Sequence, residues 1–468
     1  MSNNGGYIKV KKINISSSLR NVAKISGGTI AGQAISVITL PIITRLYGAE
    51  VMGIWATIMA LSYIVQGVCD LGITSGLMIE ESEAKVDMLY RVISSISLII
   101  CICSCVVVFP YFKLMRGLPV EDSILYSFLV GMYAFTVKQV NTCYTWLNRY
   151  KKYNTLMLNP VINYVAVAII AIGLGVFGFL KYGYYAAVTL GQILTVVNMK
   201  REMPRKMFCI KKKYFKNFIV KYRELVKYQL PNNCVIQIRD QLPSILIGSL
   251  FGDTILGYYS VSGKILRMPV TFIGQAIGKV FYQTISEMAR EGKEIGHYVS
   301  RNFNRAINVA VLPVLGLCAI GDIVAVIFFG AEYSMAGQII RIVVFQTFFA
   351  FVITCTQGLE IVLKKQKYSL VSTICQTLLL SCGIYIGYAL FDSIYISVLL
   401  MVIFYCLIHV VYYSKLFDVM NESFYPHIKK MVLYLMAIVV ASFAIRYLCS
   451  WLIKLLNIQV LEWFKVGW

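Results

Sequence analysis

Long apolar runs alternate with short polar and basic stretches along almost the whole chain. About 20 consecutive apolar residues suffice for one helix to cross the hydrocarbon core of a bilayer. The predicted membrane segments are 18–46, 51–79, 88–109, 121–147, 157–178, 182–199, 228–252, 254–286, 303–329, 334–363, 369–391, 394–414 and 430–455. This pattern predicts an all-α integral membrane protein with about 12–13 transmembrane helices. The segment 430–455 either spans the membrane or lies along it.

Composition agrees with this prediction. Hydrophobic residues make up 58% of the chain and charged residues 14%, and the mean hydropathy is +0.71. The net charge of +22 is of a size that can indicate nucleic-acid binding. Here the basic residues lie in short loops between apolar runs, so membrane topology explains them and we expect no nucleic-acid partner.

The basic residues also predict an orientation. They are concentrated in the N-terminal stretch up to Lys24 and in every second loop after it. The intervening loops, up to the twelfth segment, hold only Arg45, Lys113, Arg116 and Lys181. Cytoplasmic loops carry an excess of Lys and Arg, so the N-terminus is expected on the cytoplasmic side.

A long basic connection divides the chain into two halves of six segments each. Residues 200–227 interleave Lys and Arg with Phe, Tyr and Ile, which predicts an amphipathic helix on the cytoplasmic leaflet, in contact with membrane lipids. The predicted divisions are a cytoplasmic tail 1–17, a six-helix bundle 18–199, the linker 200–227, a second six-helix bundle 228–414 and an additional membrane segment 415–468.

An internal repeat supports two related halves. Residues 46–55 read L-Y-G-A-E-V-M-G-I-W and residues 250–259 read L-F-G-D-T-I-L-G-Y-Y, so Gly48 and Gly53 match Gly252 and Gly257 at an offset of 204. Both motifs fall at the turn between the first and second helix of a half. Halves of equal orientation predict a pseudo-two-fold axis along the membrane normal, with a cleft between them.

These motifs resemble a known family. T-R-L-Y-G-A-E-V-M-G, after a first helix with G-G-T-I-A-G-Q, and I-R-D-Q-L-P-S-I-L-I-G-S-L-F-G-D-T-I-L-G-Y-Y-S-V-S-G-K-I are similar to the polysaccharide flippases of the multidrug/oligosaccharidyl-lipid/polysaccharide exporter superfamily. The resemblance is strongest to bacterial flippases of O-antigen and capsule repeat units. It implies alternating access and transport of an undecaprenyl-diphosphate-linked oligosaccharide across the bacterial inner membrane. A polysaccharide polymerase and a chain-length regulator are the candidate protein partners.

Charged residues within the second half are the candidate substrate site. At a rise of 1.5 Å per residue, Arg239 in the seventh helix and Lys264 and Arg267 in the eighth fall at similar depth. Charges at this depth are costly and usually face a bundle interior or an aqueous cavity. Cations at one level predict a site for the substrate diphosphate, and Asp240 would offset part of their charge. An internal Arg239–Asp240 ion pair is the alternative. Pro269 predicts a kink in the eighth helix.

Further candidates lie in the first half. Lys24, Lys138 and Gln33 are predicted to contact substrate near the cytoplasmic mouth of the cleft, although Lys24 could instead reach the headgroups. Asp70 is a candidate carrier of a coupling proton or a salt-bridge partner of Lys24 or Lys138. Arg45 is expected to gate the cleft or to reach the membrane surface, and Asp240 is a further coupling or gating candidate.

Nothing in the sequence indicates an enzyme. It has no phosphate-binding G-x-x-x-x-G-K-[ST] motif, catalytic Ser/His/Asp set or metal-ligand cluster, and we expect no cofactor. The alternatives left open are a drug or ion antiporter or a peptidoglycan lipid-precursor flippase of the same superfamily, and, from a different class, a membrane-embedded O-antigen polymerase or glycosyltransferase. Short predicted outer loops disfavour the last class.

Overall fold

A computed structural model describes residues 15–69, 71–209 and 212–455. Asp70, most of the predicted N-terminal tail and the end of the predicted C-terminal segment lie outside these residues. The regular elements of the described residues are helices. The α-helices are α1 Ile15–Val68, α2 Gly76–Ile79, α3 Glu83–Pro110, α4 Val120–Arg149, α5 Tyr153–Val176, α6 Gly183–Lys200, α7 Lys212–Lys221, α8 Arg223–Phe251, α9 Asp253–Pro269, α10 Gln275–Arg290, α11 Gly296–Phe329, α12 Ser334–Cys355, α13 Leu359–Val362, α14 Gln366–Phe391, α15 Ile394–Val419 and α16 Tyr425–Leu455.

The predicted all-α membrane fold is confirmed, with nine helices in the described part of the chain long and apolar enough to span a membrane. Thirteen segments were expected. The first two are counted once because they form the arms of α1, which turns at Gly48. Helices α6, α8 and the α9–α10 pair are present but fall short of that apolarity, because polar residues such as Arg239 and Lys264 lie within α8 and α9.

The repeated glycine motif folds alike in both halves. Gly48 within α1 has φ 74° and ψ 173°, and Gly252 between α8 and α9 has φ 89° and ψ 174°. This backbone region is essentially open to glycine alone. The offset of 204 therefore marks two equivalent turns, and we call the end of the molecule that contains them the turn end.

Helix contacts sort the spans into two groups. In the first, α1 packs on α5 and α4, α5 on α6, and α3 on α4; in the second, α14 packs on α15 and α8, and α12 on α9, α11 and α15. The groups meet where α1 contacts α8 and α9. This arrangement agrees with the two predicted bundles and places the seam along α1, α8 and α9.

The eighth span bends where the sequence predicts. Pro269 ends α9, a π-helical turn follows at Val270–Gly274, and α10 continues the span. Proline lacks the amide proton of a normal helical hydrogen bond and clashes with the preceding turn. The kink thus separates the part of this span that faces the seam from its continuation in α10.

The last helix, α16, is long enough to span and is held to α11 by a buried ion pair. The Arg446 guanidinium donates to the Asp322 carboxylate at 2.8 Å and to the Ala319 carbonyl at 3.0 Å. Helix α11 departs from helical geometry at Ile320, which frees neighbouring carbonyls to accept such bonds. Arg341 donates to the next of them, at Cys318, over 3.3 Å. These contacts fix α16 to the second group.

The basic linker is less continuous than the single surface helix that its sequence predicts. Among the described residues of the linker, Lys212–Lys221 forms one short helix before α8 begins at Arg223. Phe218 and Tyr222 are buried against the first group, and the Glu80 carboxylate accepts hydrogen bonds from Lys221 and, at 2.6 Å, from the Tyr222 hydroxyl. The linker's apolar face therefore contacts protein, and we call this end of the molecule the linker end.

Glu80→Gln is expected to loosen α7. Burial raises the pKa of the Glu80 carboxyl, but the bonds from Lys221 and Tyr222 outweigh burial and hold the pKa below 4.5. The stabilisation is therefore complete above about pH 4.5 and is lost as the pH falls through the lowered pKa. The hydrogen-exchange protection factors of the α7 amides, which are corrected for the intrinsic pH dependence of exchange, should fall in the variant at neutral pH and in the wild type in acid. Glu291→Gln, in an exposed pair with Lys293, is the control and should change nothing.

Candidate functional site

A cavity of about 610 Å³ lies at the seam between the two groups of helices. Its walls come mainly from the second arm of α1 and from α8, α9 and α12, with Asn141 contributed by α4. The volume falls within the usual range of ligand pockets, about 300–1,000 Å³. A cavity between two related halves is the place where an alternating-access transporter holds its substrate.

Two cations of α9 line this cavity. Lys264 and Arg267 are one helical turn apart, on one face of the helix. The Lys264 ammonium is 3.4 Å from the Tyr184 hydroxyl on α6, to which it donates across the seam. Arg267 is exposed within the lining. The described residues that line the cavity include no Asp or Glu, so its fixed charge is positive.

Arg239 is not among the residues that line the cavity. Its guanidinium donates to Asp240 at 2.8 Å and to the Thr373 hydroxyl on α14 at 3.5 Å. The lining residues of α8 are spaced as one helical stripe at Gln237, Gln241 and Ser244. A residue two positions after Gln237 projects to nearly the opposite side of the helix. The structure thus brings Lys264 and Arg267 together and directs Arg239 toward α14.

The other candidates of the first half also lie apart from the lining. Lys24 is exposed on α1, Gln33 is half-buried on the first arm of α1, and Lys138 is buried within α4. Arg45 lies at the turn end and donates to the Ile327 carbonyl of α11 at 2.8 Å. That bond joins the two groups of helices, as a gating residue would.

The offset of 204 relates the two long walls of the cavity residue by residue. Five pairs of equivalent positions all line it, namely Trp55 with Tyr259, Ala56 with Ser260, Met59 with Gly263, Tyr63 with Arg267, and Gln66 with Val270. The position equivalent to Lys264 is Ala60. The scaffold is therefore symmetrical while its chemistry is not, because α9 presents cations where α1 presents neutral and aromatic groups.

Sequence reasoning missed Trp55, Tyr63, Gln66 and Gln237 as lining residues. The internal repeat could have identified Trp55 and Tyr63. The turn motifs alone establish the offset of 204, and this offset pairs these two residues with positions on the charged helix α9. Neutral residues within a membrane segment do not stand out in a sequence, whereas charged residues do, because a charge at that depth is costly.

Reciprocal glycine contacts close the turn end of the cavity. A Cβ atom at Gly53 would lie 1.8 Å from the Asp253 carbonyl oxygen, and one at Gly257 would lie 1.9 Å from the Ala49 carbonyl oxygen. These contacts are the same contact seen from each half, since their residues differ by 204. Beside them, Arg116 pairs with Asp253 at 2.6 Å, with both side chains largely buried.

Contacts also join the two groups of helices at the linker end. The Gln237 amide donates to the Gln66 side-chain carbonyl over 3.5 Å, at the margin of the cavity that is nearer the linker end. Further out, the exposed Lys279 ammonium donates to the Ser26 hydroxyl at 2.9 Å. The two groups of helices therefore meet at both ends of the cavity, through backbone contacts at the turn end and, at the linker end, through these polar bonds and the close approach of Gly67 and Gly72 to α8.

Comparison with known proteins agrees with this architecture. The sequence profile of a family described as "Polysaccharide biosynthesis protein" matches residues 42–338. A search of curated protein sequences finds no significant match.

Solved transporters share the fold. A structure described as "Lipid II flippase MurJ, inward closed conformation" has a TM-score of 0.72 at 15% identity, over 92% of this chain and 93% of that one. The MATE multidrug transporter DinF-BH, in complex with R6G, has a TM-score of 0.57 at 16% identity, over 89% of this chain and 100% of that one. An inward-facing MATE family transporter of the MOP superfamily has a TM-score of 0.52 at 16% identity, over 89% and 95%.

The profile covers more than half of the chain, and the structural matches cover both groups of helices. MOP here denotes the multidrug/oligosaccharidyl-lipid/polysaccharide exporters. The chain is thus a multi-pass membrane protein of the polysaccharide biosynthesis protein family, with the fold of the MOP superfamily of exporters.

Proposed function

We propose that this protein is a flippase that moves undecaprenyl-diphosphate-linked oligosaccharide repeat units, of the O-antigen or capsule type, across the bacterial cytoplasmic membrane by alternating access. The observation that carries the proposal is the cavity at the seam, which Lys264 and Arg267 make cationic without a lining carboxylate among the described residues. Arg binds phosphate oxygens through two parallel hydrogen bonds and Lys as a point charge.

The family and fold support transport and leave three substrate classes. A cavity for cationic drugs would need negative charge, and the described lining supplies the opposite sign. The similarity to a lipid II flippase favours a substrate that is a lipid diphosphate with a sugar headgroup. A peptidoglycan lipid precursor is accordingly the second candidate, and it differs from the first in its headgroup.

The remaining residues take roles in the same proposal. The linker end faces the cytoplasm, so the N-terminus is cytoplasmic and exposed Lys24 meets the lipid diphosphate as it enters. Arg45 takes part in gating at the turn end. Lys138, Gln33, and the Arg239–Asp240 pair contact substrate or couple its movement in another step of the cycle, and Asp70 carries the coupling proton.

Reconstitution tests the proposal directly. The purified full-length protein is placed in proteoliposomes with a radiolabelled undecaprenyl-diphosphate oligosaccharide, and a glycosidase added outside reports how much substrate has crossed. We expect crossing to depend on the protein, while lipid II crosses more slowly and a cationic dye is not moved. Faster movement of lipid II or of the dye, or conversion of the oligosaccharide into a longer one, would each overturn the proposal.

A further inference from the structure

The two walls of the cavity differ in a way that divides the substrate into two parts. The α9 wall carries Lys264 and Arg267, and the equivalent positions of the α1 wall are Ala60 and Tyr63. Trp55 lies on the same α1 wall but is buried, with its ring stacked on Tyr185 at a centroid distance of 5.8 Å, so Tyr63 is the aromatic side chain of this wall that remains half-exposed. An anion would bind one wall, and the facing wall has a different ligand chemistry.

That chemistry suits a sugar. Aromatic rings offer flat apolar surface to the C–H face of a pyranose, and Tyr adds a hydroxyl at its tip. Amide side chains both donate and accept hydrogen bonds, as ring hydroxyls and acetamido groups do. Gln66 and Gln237 line the cavity, and among the described residues their side-chain amides bond to each other over 3.5 Å, so a ligand could replace that weak bond at little loss.

The charges of the cavity further restrict the class of sugar that can bind next to the diphosphate. A diphosphate that joins a lipid to a sugar carries one ionised oxygen on each phosphate, so Lys264 and Arg267 match its charge. The described lining holds no third cation. A sugar carboxylate beside the diphosphate would enter the cavity without a partner, and an unpaired charge in a low-dielectric site is strongly disfavoured.

We infer that the α1 wall is a carbohydrate subsite that accepts a neutral sugar next to the diphosphate, with the half-buried Tyr63 as its aromatic surface and Gln66 and Gln237 as its hydrogen-bonding groups. The inference rests on the proposed function, because it assigns the sugar side of the same substrate. It restricts the substrate class to repeat units whose first sugar lacks a carboxylate.

The test uses three lipids and the full-length protein in nanodiscs. The probes are undecaprenyl diphosphate with a methyl ester on its terminal phosphate, called the bare lipid, and the same lipid with N-acetylglucosamine or glucuronic acid in place of the methyl group, so that the diphosphate carries two charges in all three. We expect N-acetylglucosamine to tighten binding about tenfold over the bare lipid, as a small number of added hydrogen bonds would. Glucuronic acid should bind no more tightly than the bare lipid.

Variants separate the two parts of the site. Gln66→Ala and Gln237→Ala should each remove most of the gain from N-acetylglucosamine and leave the bare lipid unchanged, whereas Lys264→Ala should weaken all three probes. Gln283→Ala, a half-buried glutamine on α10 outside the lining, is the matched control and should bind as wild type.

The outcomes are distinct. Failure of all three lipids to bind would overturn the proposed function and this inference with it. Two outcomes would overturn the carbohydrate subsite and leave the proposed flippase function intact. In the first, the bare lipid binds and N-acetylglucosamine adds no affinity. In the second, the glutamine variants lose affinity equally for the bare lipid and for the N-acetylglucosamine lipid. Glucuronic acid bound as tightly as N-acetylglucosamine would overturn the restriction to neutral sugars.

Discussion

Replacing Lys264 and Arg267 together with alanine is expected to abolish surface polysaccharide while the protein still inserts and folds. Both side chains line the cavity, and neither forms an ion pair there with a described residue. A hydrogen bond to a charged group contributes about 1.5–3 kcal/mol. Loss of two such groups should therefore weaken binding of a lipid diphosphate about a hundredfold to ten-thousandfold.

The measurement is polysaccharide display in cells that lack their own flippase, with membrane levels of each variant followed in parallel. Lys264→Arg and Arg267→Lys should keep part of the activity, because charge remains while the geometry of the phosphate contact changes. Lys415→Ala, which removes an exposed lysine on α15, is the control and should display normally. Normal display by the double alanine variant would refute a cationic substrate site.

Arg239 gives the same experiment a sharper contrast. Its guanidinium is satisfied by Asp240 and Thr373 on the side of α8 that faces α14. We therefore expect Arg239→Ala to leave the affinity for undecaprenyl diphosphate nearly unchanged, whatever it does to the transport rate, and Arg239→Lys to preserve more of that rate. A loss of affinity equal to that of Lys264→Ala would place Arg239 at the diphosphate.

The sequence predicts how deep a charged residue lies in the membrane better than it predicts which side of its helix faces the cavity. Counting residues from a helix start places Arg239, Lys264 and Arg267 at a common level, but depth does not say which side of a helix faces the cavity. The stripe of Gln237 and Gln241 on α8 carries that information, since helical spacing separates it from Arg239. This stripe is not apparent in the sequence, because amide side chains within a membrane segment are far less conspicuous than charges.

The same contrast explains what the sequence predicts well. The turns at Gly48 and Gly252 follow from the motif, because the observed backbone conformation is open only to glycine. The kink after Pro269 follows from the missing amide proton. The hydrogen bonds of Arg446 to α11 were beyond prediction, since they depend on a departure from helical geometry at Ile320 that the neighbouring Gly321 permits but does not require.

Substituting Gly53 or Gly257 with alanine is expected to shift the resting population away from the conformation that is closed at the turn end. Each added Cβ atom would lie within 2 Å of a carbonyl oxygen, of Asp253 in one case and of Ala49 in the other. A backbone atom cannot rotate away as a side chain can, so the helices must separate. Overpacking of this kind costs about 1–3 kcal/mol, which corresponds to a population change of about 5- to 150-fold.

Hydrogen exchange of the amides around both turns measures this shift, and it should rise in either variant while transport slows. Gly316→Ala, at a helical glycine on α11 with no atom within 4 Å of the added Cβ, is the matched control. Unchanged exchange at the turn end in both variants would show that the two halves part there without regard to the glycine contact.

The reciprocal geometry of the two glycine contacts also predicts how their substitutions combine. Because Gly53 on Asp253 and Gly257 on Ala49 are two views of one crossing, the separation forced by the first methyl group also makes room for the second. The double variant should therefore shift the population little more than either single variant, with a large coupling energy in the double-mutant cycle. Additive effects would mean that the two contacts open independently. A non-additive result would identify the α1–α9 crossing as one two-state element, in which the two symmetry-related contacts open together.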